Sequence, residues 1–310
     1  MIQVEHLTKR FGEKVAVDDL SFTVRSGTVT GFLGPNGAGK STTMRVAVGL
    51  DRPTSGSVTF DGKRYQELAA PLREVGTLLE ARAVHPGRTA RNHLRALAAT
   101  HGIPTRRVDE VLGLTGLSDV AGKRIGGFSL GMGQRLGIAT AMLGDPGVLV
   151  LDEPVNGLDP EGVIWVRNLA RALAAEGRTV LISSHLMSEM AQTADHLVVI
   201  AQGRLMADAP IDAMLDGEGQ PRVLVRSPDT ERLGVAIAGD GVSVDQRPDG
   251  ALVVTGRDPL QISRAALDHG LLLSELTPMR ASLEDAYLRL THDHVDYRAA
   301  EPVAEGNGTR

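Results

Sequence analysis

The 310-residue sequence contains no cysteine, which excludes disulfide frameworks, thiolate metal sites and cysteine nucleophiles together and fits a reducing cytosol. Positive charge is not in surplus either. The formal net charge is −5 and the isoelectric point is about 6.0, so nothing in the balance selects a polyanion, and no nucleic acid is expected as partner. Long hydrophobic runs are also missing. The longest, "GVLVL" at 147–151 and "HLVVIA" at 196–201, fall far short of the roughly 18 to 20 residues that span a bilayer. Any membrane role therefore passes through a partner. The opening "MIQVEHLTKRFGEKVAV" lacks the apolar core and small-residue cleavage site of a secretory signal, and no internal repeat is found.

What remains is an ordinary globular composition, 42% hydrophobic and 23% charged, enough for one large core or two moderate ones. Short β-branched runs alternate with helical patterns. "VTGFLG" (29–34) precedes "KSTTMRVAVGL" (40–50), and "GVLVLD" (147–152) precedes "EGVIWVRNLARALAAEG" (161–177); "TVLISS" (179–184) and "HLVVIAQG" (196–203) follow. This is βα alternation around a largely parallel sheet. "IQVEHLTKRF", "AVDDLSFTVRSG" and "GSVTFDGKR" alternate apolar with polar residues and predict an antiparallel β piece beside it. Residues of about 85–142 carry helical spacing, read as a helical insertion. After "LDGEGQP" (215–221) the order becomes β-α-β-β-α-β, a small α+β domain of ferredoxin-like type. The expected division is thus 1–217, 218–292 and a disordered tail at 293–310.

Residues 34–42, "GPNGAGKST", fit G-x-x-x-x-G-K-[ST] between an apolar strand and a helix. Gly34, Pro35, Asn36, Gly37, Ala38 and Gly39 form a loop whose backbone wraps phosphates, with Lys40, Ser41 and Thr42 opening the helix that follows. The helix N-terminus supplies free N–H groups and the positive end of its dipole. Lys40 reaches the β- and γ-phosphates of ATP, and Ser41 ligates Mg²⁺. Farther on, "GVLVLDEPVNGLDP" ends an apolar strand on Asp152 and Glu153. Asp152 is the candidate for the Mg²⁺ shell, and Glu153 the candidate base for water attacking the γ-phosphate. His185, after "TVLISS", emerges at the corresponding strand end as a hydrogen-bonding sensor of that phosphate.

The succession of phosphate loop, strand-end "DE", "GLDP" and "SSH", with "FSLGMGQR" (128–135) between the first two, resembles the ATP-binding subunit of ABC transporters over residues 1 to about 215. The resemblance implies a P-loop NTPase α/β fold with a RecA-like parallel core, an antiparallel β subdomain and a helical subdomain. It also implies that Ser129 and Gly131, at a helix N-terminus, meet the γ-phosphate of ATP held by a second subunit. Such a contact needs free N–H groups and no bulky side chain. By the same resemblance Phe11 stacks on adenine, Asp159 couples two sites across a dimer, and Glu80 stands where the family commonly has a glutamine touching Mg²⁺. An ionised carboxylate accepts but cannot donate, so Glu80 binds metal differently or senses the membrane partner. Leu130 and Met132 depart from the family's L-S-G-G-Q.

These variants, with the ending "SLEDAYLRLTHD" (282–293), resemble the bacterial branch of bacitracin- and daunorubicin-resistance subunits. The implied protein is an ATPase on the cytoplasmic face of the membrane. It would form a homodimer, or a heterodimer with a similar ATPase, and drive a separate polytopic permease, usually for export. The loop "EARAVHPGRTARN" (80–92) is the candidate docking surface. Two rivals stand beside this reading: a soluble ABC-type ATPase acting on DNA or ribosomes, and a binding module without hydrolysis. The first lacks its relatives' zinc or coiled-coil insertions here, and Glu153 opposes the second.

Overall fold

The structure, a computed structural model, describes residues 1–80, 83–215, 221–279 and residues 283, 284 and 287. The expected tail, most of the helix expected in "SLEDAYLRLTHD" and the boundary expected at 217/218 lie outside the described residues. Two compact units form, one built on Met1–Pro210 and the other on Ile211–Tyr287.

In the first unit β1 (Ile2–Phe11), β2 (Lys14–Val24), β3 (Val29–Leu33), α1 (Lys40–Ala47), β4 (Ser55–Phe60), α2 (Pro71–Glu74) and β5 (Val75–Leu78) come first. Then follow α3 (Ala90–Thr100), α4 (Arg106–Leu114), α5 (Leu130–Met142), β6 (Val148–Leu151), α6 (Pro160–Ala175), β7 (Thr179–Ser184), α7 (Met187–Thr193), β8 (His196–Ala201) and β9 (Arg204–Pro210). The main sheet has the order β5-β6-β7-β3-β8-β9, parallel except for β9. β3, β6 and β7 are buried at every position, as expected for parallel strands covered on both faces. A three-stranded antiparallel sheet, β2-β1-β4, stands beside it. Its inward residues Val4, Leu7, Leu20, Phe22 and Val58 share one core with Phe32, Val150 and Val198 of the parallel strands.

Two strands escape the sequence reading. β5 is only four residues long, and β9 presents few buried positions. An edge strand buried on neither face leaves no hydrophobic alternation to read. The β8–β9 hairpin is instead marked by its turn, where Gln202 and Gly203 both have positive φ (49° and 78°).

The second unit runs α8 (Ile211–Leu215), β10 (Arg222–Arg226), α9 (Thr230–Ile237), β11 (Ser243–Gln246), β12 (Leu252–Thr255), α10 (Pro259–Asp268) and β13 (Glu275–Met279). Its antiparallel sheet has the order β11-β12-β10-β13. Leu233 and Ile237 of α9 and Ile262 and Ala266 of α10 cover Val223, Val225 and Val254 of that sheet. Asp258 and Gln261 close a reciprocal capping box at the start of α10, with bonds of 2.7 and 3.0 Å.

Candidate active site

Parallel strands deliver their C-terminal ends to one edge of the sheet, and every strand-end residue singled out above leaves from that edge. The chain passes from Leu33 into the phosphate loop, from Leu151 into Asp152, and from Ser184 into His185. Gly37 and Gly39 have φ of 84° and 107°. A Cβ on Gly39 would lie 2.6 Å from the Ala16 carbonyl oxygen, so side chains are excluded there by space as well as by backbone conformation. Lys40 folds back beneath the loop, 6% exposed, and donates from Nζ to the carbonyls of Gly34 (2.6 Å) and Pro35 (3.3 Å). Its Nζ stands 3.6 Å from Glu153 Oε1. Burial pulls the ammonium below the usual lysine range, while the charges of Glu153 and Asp152 oppose that shift.

Glu153 has φ of 48°, a left-handed conformation that costs a non-glycine residue about 1–2 kcal/mol. Surrounding bonds hold it there. Its N–H donates to Ser183 Oγ at 2.9 Å, its carbonyl accepts from Gln134 Nε2 at 2.9 Å, and its Oε2 pairs with His185 Nδ1 at 2.9 Å. The Ser183 hydroxyl in turn donates to Asp152 Oδ1. The Asp152 N–H is bonded to the Leu78 carbonyl at 2.7 Å, which ties the acid pair to the end of β5.

A cleft of about 330 Å³ brings together Phe11, Pro35, Asn36, Gly37, Gly39, Lys40, Ser41, Thr42 and Glu153, with Lys14 and Ala16 completing its wall. Phe11 is 50% exposed, and the Lys9 ammonium lies 4.6 Å from its ring centroid, which leaves an aromatic face for a flat ligand. Gly34 and Ala38 are buried under the loop. Asp152 and His185 join through their bonds to Ser183 and Glu153. Glu80 is exposed just beyond β5 and is not on the cleft wall; its charge is felt at the Arg45 guanidinium.

Ser129, Gly131 and Asp159 are not on this wall either. The Ser129 hydroxyl caps α5 by accepting from Met132 N–H at 3.2 Å, and Asp159 caps α6 by accepting from Gly162 N–H at 3.0 Å. Gly157, at φ 76°, lies against Leu130, whose side chain occupies the space a Cβ there would need. Leu130 is thereby fitted to the "NGLDP" turn.

The loop offers what a polyphosphate with a divalent cation needs: backbone N–H groups in a glycine cradle, one ammonium, the Ser41 hydroxyl and two carboxylates. Among the described residues, no three histidine or acidic side chains gather as a metal cluster by themselves. The hydroxyl and carboxylate oxygens beside the glycine cradle fit a cation that brings phosphate oxygens with it. Gln134 and Ser183 are absent from the sequence reading. The serine had a faint signal, since "ISSH" places a hydroxyl inside an otherwise apolar strand.

The profile of the family described as "ABC transporter" matches residues 17–156, and one described only as a domain of unknown function matches 221–284. The chain is 43% identical over 215 residues to the bacitracin transport ATP-binding protein BcrA of Bacillus licheniformis, covering 68% of this chain and 70% of that one. It is 34% identical to a daunorubicin resistance ATP-binding protein of Streptomyces coeruleorubidus, over 94% of this chain and 96% of that one. A solved ATP-binding subunit of an ABC transporter superimposes with a TM-score of 0.64 at 27% identity, over 70% of this chain and 92% of that one. A nucleotide-free ATP-binding cassette gives 0.60 at 26%, over 68% and 91%. Among the described residues no helix is long and apolar enough to cross a membrane. With this cleft, this strand order and these relatives, the chain belongs to the ATP-binding subunits of ABC transporters, a family of ATPases.

Proposed function

We propose that the chain binds Mg-ATP in the Lys40 cleft and hydrolyses it to drive export through a separate polytopic membrane subunit. When bound, ATP supplies the phosphoanhydride bond and Mg²⁺ the charge that screens its phosphates. Lys40 offers its ammonium to the β- and γ-phosphate oxygens, Ser41 and Asp152 hold the cation, and Glu80 borders its shell. Phe11 stacks on the base. Glu153 takes the proton of the attacking water. His185, tied to Glu153 through Nδ1, senses the terminal phosphate. Ser129 and Gly131, at the N-terminus of α5, serve the γ-phosphate of a second subunit, and Asp159 couples the two sites. Solved relatives that assemble as dimeric cassettes support a site completed in trans. A homodimer is the simplest assembly; a heterodimer with a similar ATPase uses the same contacts.

The export reading, and with it a seat on the cytoplasmic face of the membrane, is supported by the likeness to a bacitracin transport and a daunorubicin resistance protein rather than by any feature of the cleft. Co-purification from native membranes of a multi-span protein tests it; enrichment of ribosomal or DNA-bound proteins instead would favour the soluble rival.

One observation carries the hydrolytic reading. A carboxylate stands at 3.6 Å from the phosphate-loop lysine and at 2.9 Å from an imidazole. Glu153→Gln keeps the size and removes the base. Turnover is expected to fall about 100-fold or more while ATP binding survives, and light scattering under saturating Mg-ATP should then show a trapped dimer. Wild-type turnover in this variant would remove Glu153 from the mechanism.

A further inference from the structure

Two side chains that the hydrolytic reading leaves unused act on the backbone of the candidate base. Gln134 is buried, 4% exposed, and donates from Nε2 to the Glu153 carbonyl at 2.9 Å, beside the Asn156 N–H at 3.2 Å. Ser183 is fully buried in β7 and accepts the Glu153 N–H at 2.9 Å. Its single hydroxyl proton goes to Asp152, so the oxygen that receives Glu153 has no proton left for another use. The left-handed peptide of Glu153, φ 48°, is therefore gripped on its N–H side from β7 and on its carbonyl side from α5.

We propose that Gln134 and Ser183 are positioning residues that clamp this peptide and so hold the Glu153 carboxylate toward Lys40; the proposal rests on Glu153 being the base. Released, the residue would relax to negative φ, where L side chains are unstrained, and Cβ would swing the carboxylate away from the cleft. A neutral amide suits the carbonyl side, since it donates without adding charge beside a lysine and two carboxylates. Its place on α5 has a further consequence. Gln134 lies five residues after Ser129, about one and a half turns from the helix N-terminus. One hydrogen bond therefore ties the peptide of Glu153 to the first two turns of α5.

The test uses the full chain. Gln134→Met keeps the length and removes the donor, and Ser183→Ala removes the hydroxyl. Without nucleotide, backbone amides in 152–156 should exchange with solvent about tenfold faster in both variants. With Mg-ATP, kcat should fall about tenfold, while KM and the affinity for a fluorescent ATP analogue stay within about twofold. Gln134→Glu supplies a second readout. Its carboxyl donates only when protonated, so its turnover relative to wild type should climb as pH is lowered, whereas the Gln134→Met ratio stays flat.

Unchanged exchange with kcat within about twofold of wild type would overturn the clamp, as would KM and affinity lost in step with kcat. If Gln134→Met and Ser183→Ala do not fold, a flat pH ratio in Gln134→Glu overturns it instead. Glu153→Gln is measured alongside: wild-type turnover there removes the base assignment, whereas slow turnover there with fully active clamp variants removes only the clamp.

Discussion

The Met1–Pro210 unit and the Ile211–Tyr287 unit are built from the same materials, strands and helices around an aliphatic core, yet they differ in where the backbone is strained. Six non-glycine residues have positive φ among the described residues: His6, Asp19, Asp61, Asp145, Glu153 and Gln202. All belong to the first unit. Some simply turn a hairpin, as Gln202 does, but Glu153 sits at a parallel strand end facing a cleft. The second unit has no such residue among those described, and its α10 starts from a full capping box at Asp258 and Gln261. Strain persists where the surroundings over-determine it. In the first unit four side chains, Gln134, Ser183, His185 and Lys40, converge on Glu153 within 3.6 Å. In the second unit polar side chains pair at the surface, as Arg226 does with Asp249 and Glu275.

The largest effect that would sharpen this contrast comes from Lys40→Met. Turnover should fall about 100- to 1,000-fold, the scale of removing one pre-placed charged donor, as steady-state ATPase rates will show. Stability separates the same site from an ordinary surface. The folded state holds the Lys40 ammonium below its usual range by burial, so between the folded and unfolded values the unfolded chain binds more protons. Stability of nucleotide-free wild type therefore gains from this residue as pH rises through that window. Denaturant titrations across alkaline pH should show the gain as a wild-type minus Lys40→Met difference. Its absence would mean that Lys40 is no more desolvated than a surface lysine.

How far the sequence exposes each part of the molecule follows from what each residue addresses. The phosphate loop is legible because its glycines answer a local backbone demand, and that demand has a fixed spacing. Asp152 and Glu153 are legible because a strand end is visible as the end of an apolar run. Gln134 and Ser183 are not, since both address the main chain of a residue that is distant along the sequence, and a peptide group has no letter of its own. Glu80 illustrates the other limit. Its position past β5 is plain, but the side chain is exposed and off the cleft wall, and no strand end or glycine spacing ties it to the phosphate loop. In the second unit alternation suffices for β10, where Val223 and Val225 are buried, and an apolar run marks β12, where Leu252, Val253 and Val254 are all buried, whereas β11 is almost wholly exposed and owes its place to pairing with β12.

A mid-sized effect tests whether the second unit is only a folded support for itself. Leu233 is fully buried among Ile237, Leu252 and Ile262. Leu233→Ala should cost that unit about 3 kcal/mol through lost burial and the cavity left behind. Chemical denaturation should show an earlier transition for part of the signal, with kcat and KM for ATP unchanged. A parallel loss of turnover would break the contrast, because turnover would then depend on the core of the second unit.

The smallest effect belongs to the exposed pair that joins the end of β10 to the β11–β12 turn. Arg226 lies against Asp249 at 2.5 Å, and its guanidinium, together with the Ala251 N–H, holds the Asp249 carboxyl below the usual carboxylate range. A carboxyl depressed in the folded state contributes stability above its unfolded value, and that contribution is lost as pH falls through the folded value. Because both side chains are solvent-exposed and screened by salt, Asp249→Asn should move the unfolding midpoint less than Leu233→Ala does. The shift should shrink further at high salt and vanish at acid pH, where the wild-type carboxyl is itself protonated. A large, salt-insensitive shift would mean that the second unit, like the first, places strained or desolvated charge where its fold depends on it.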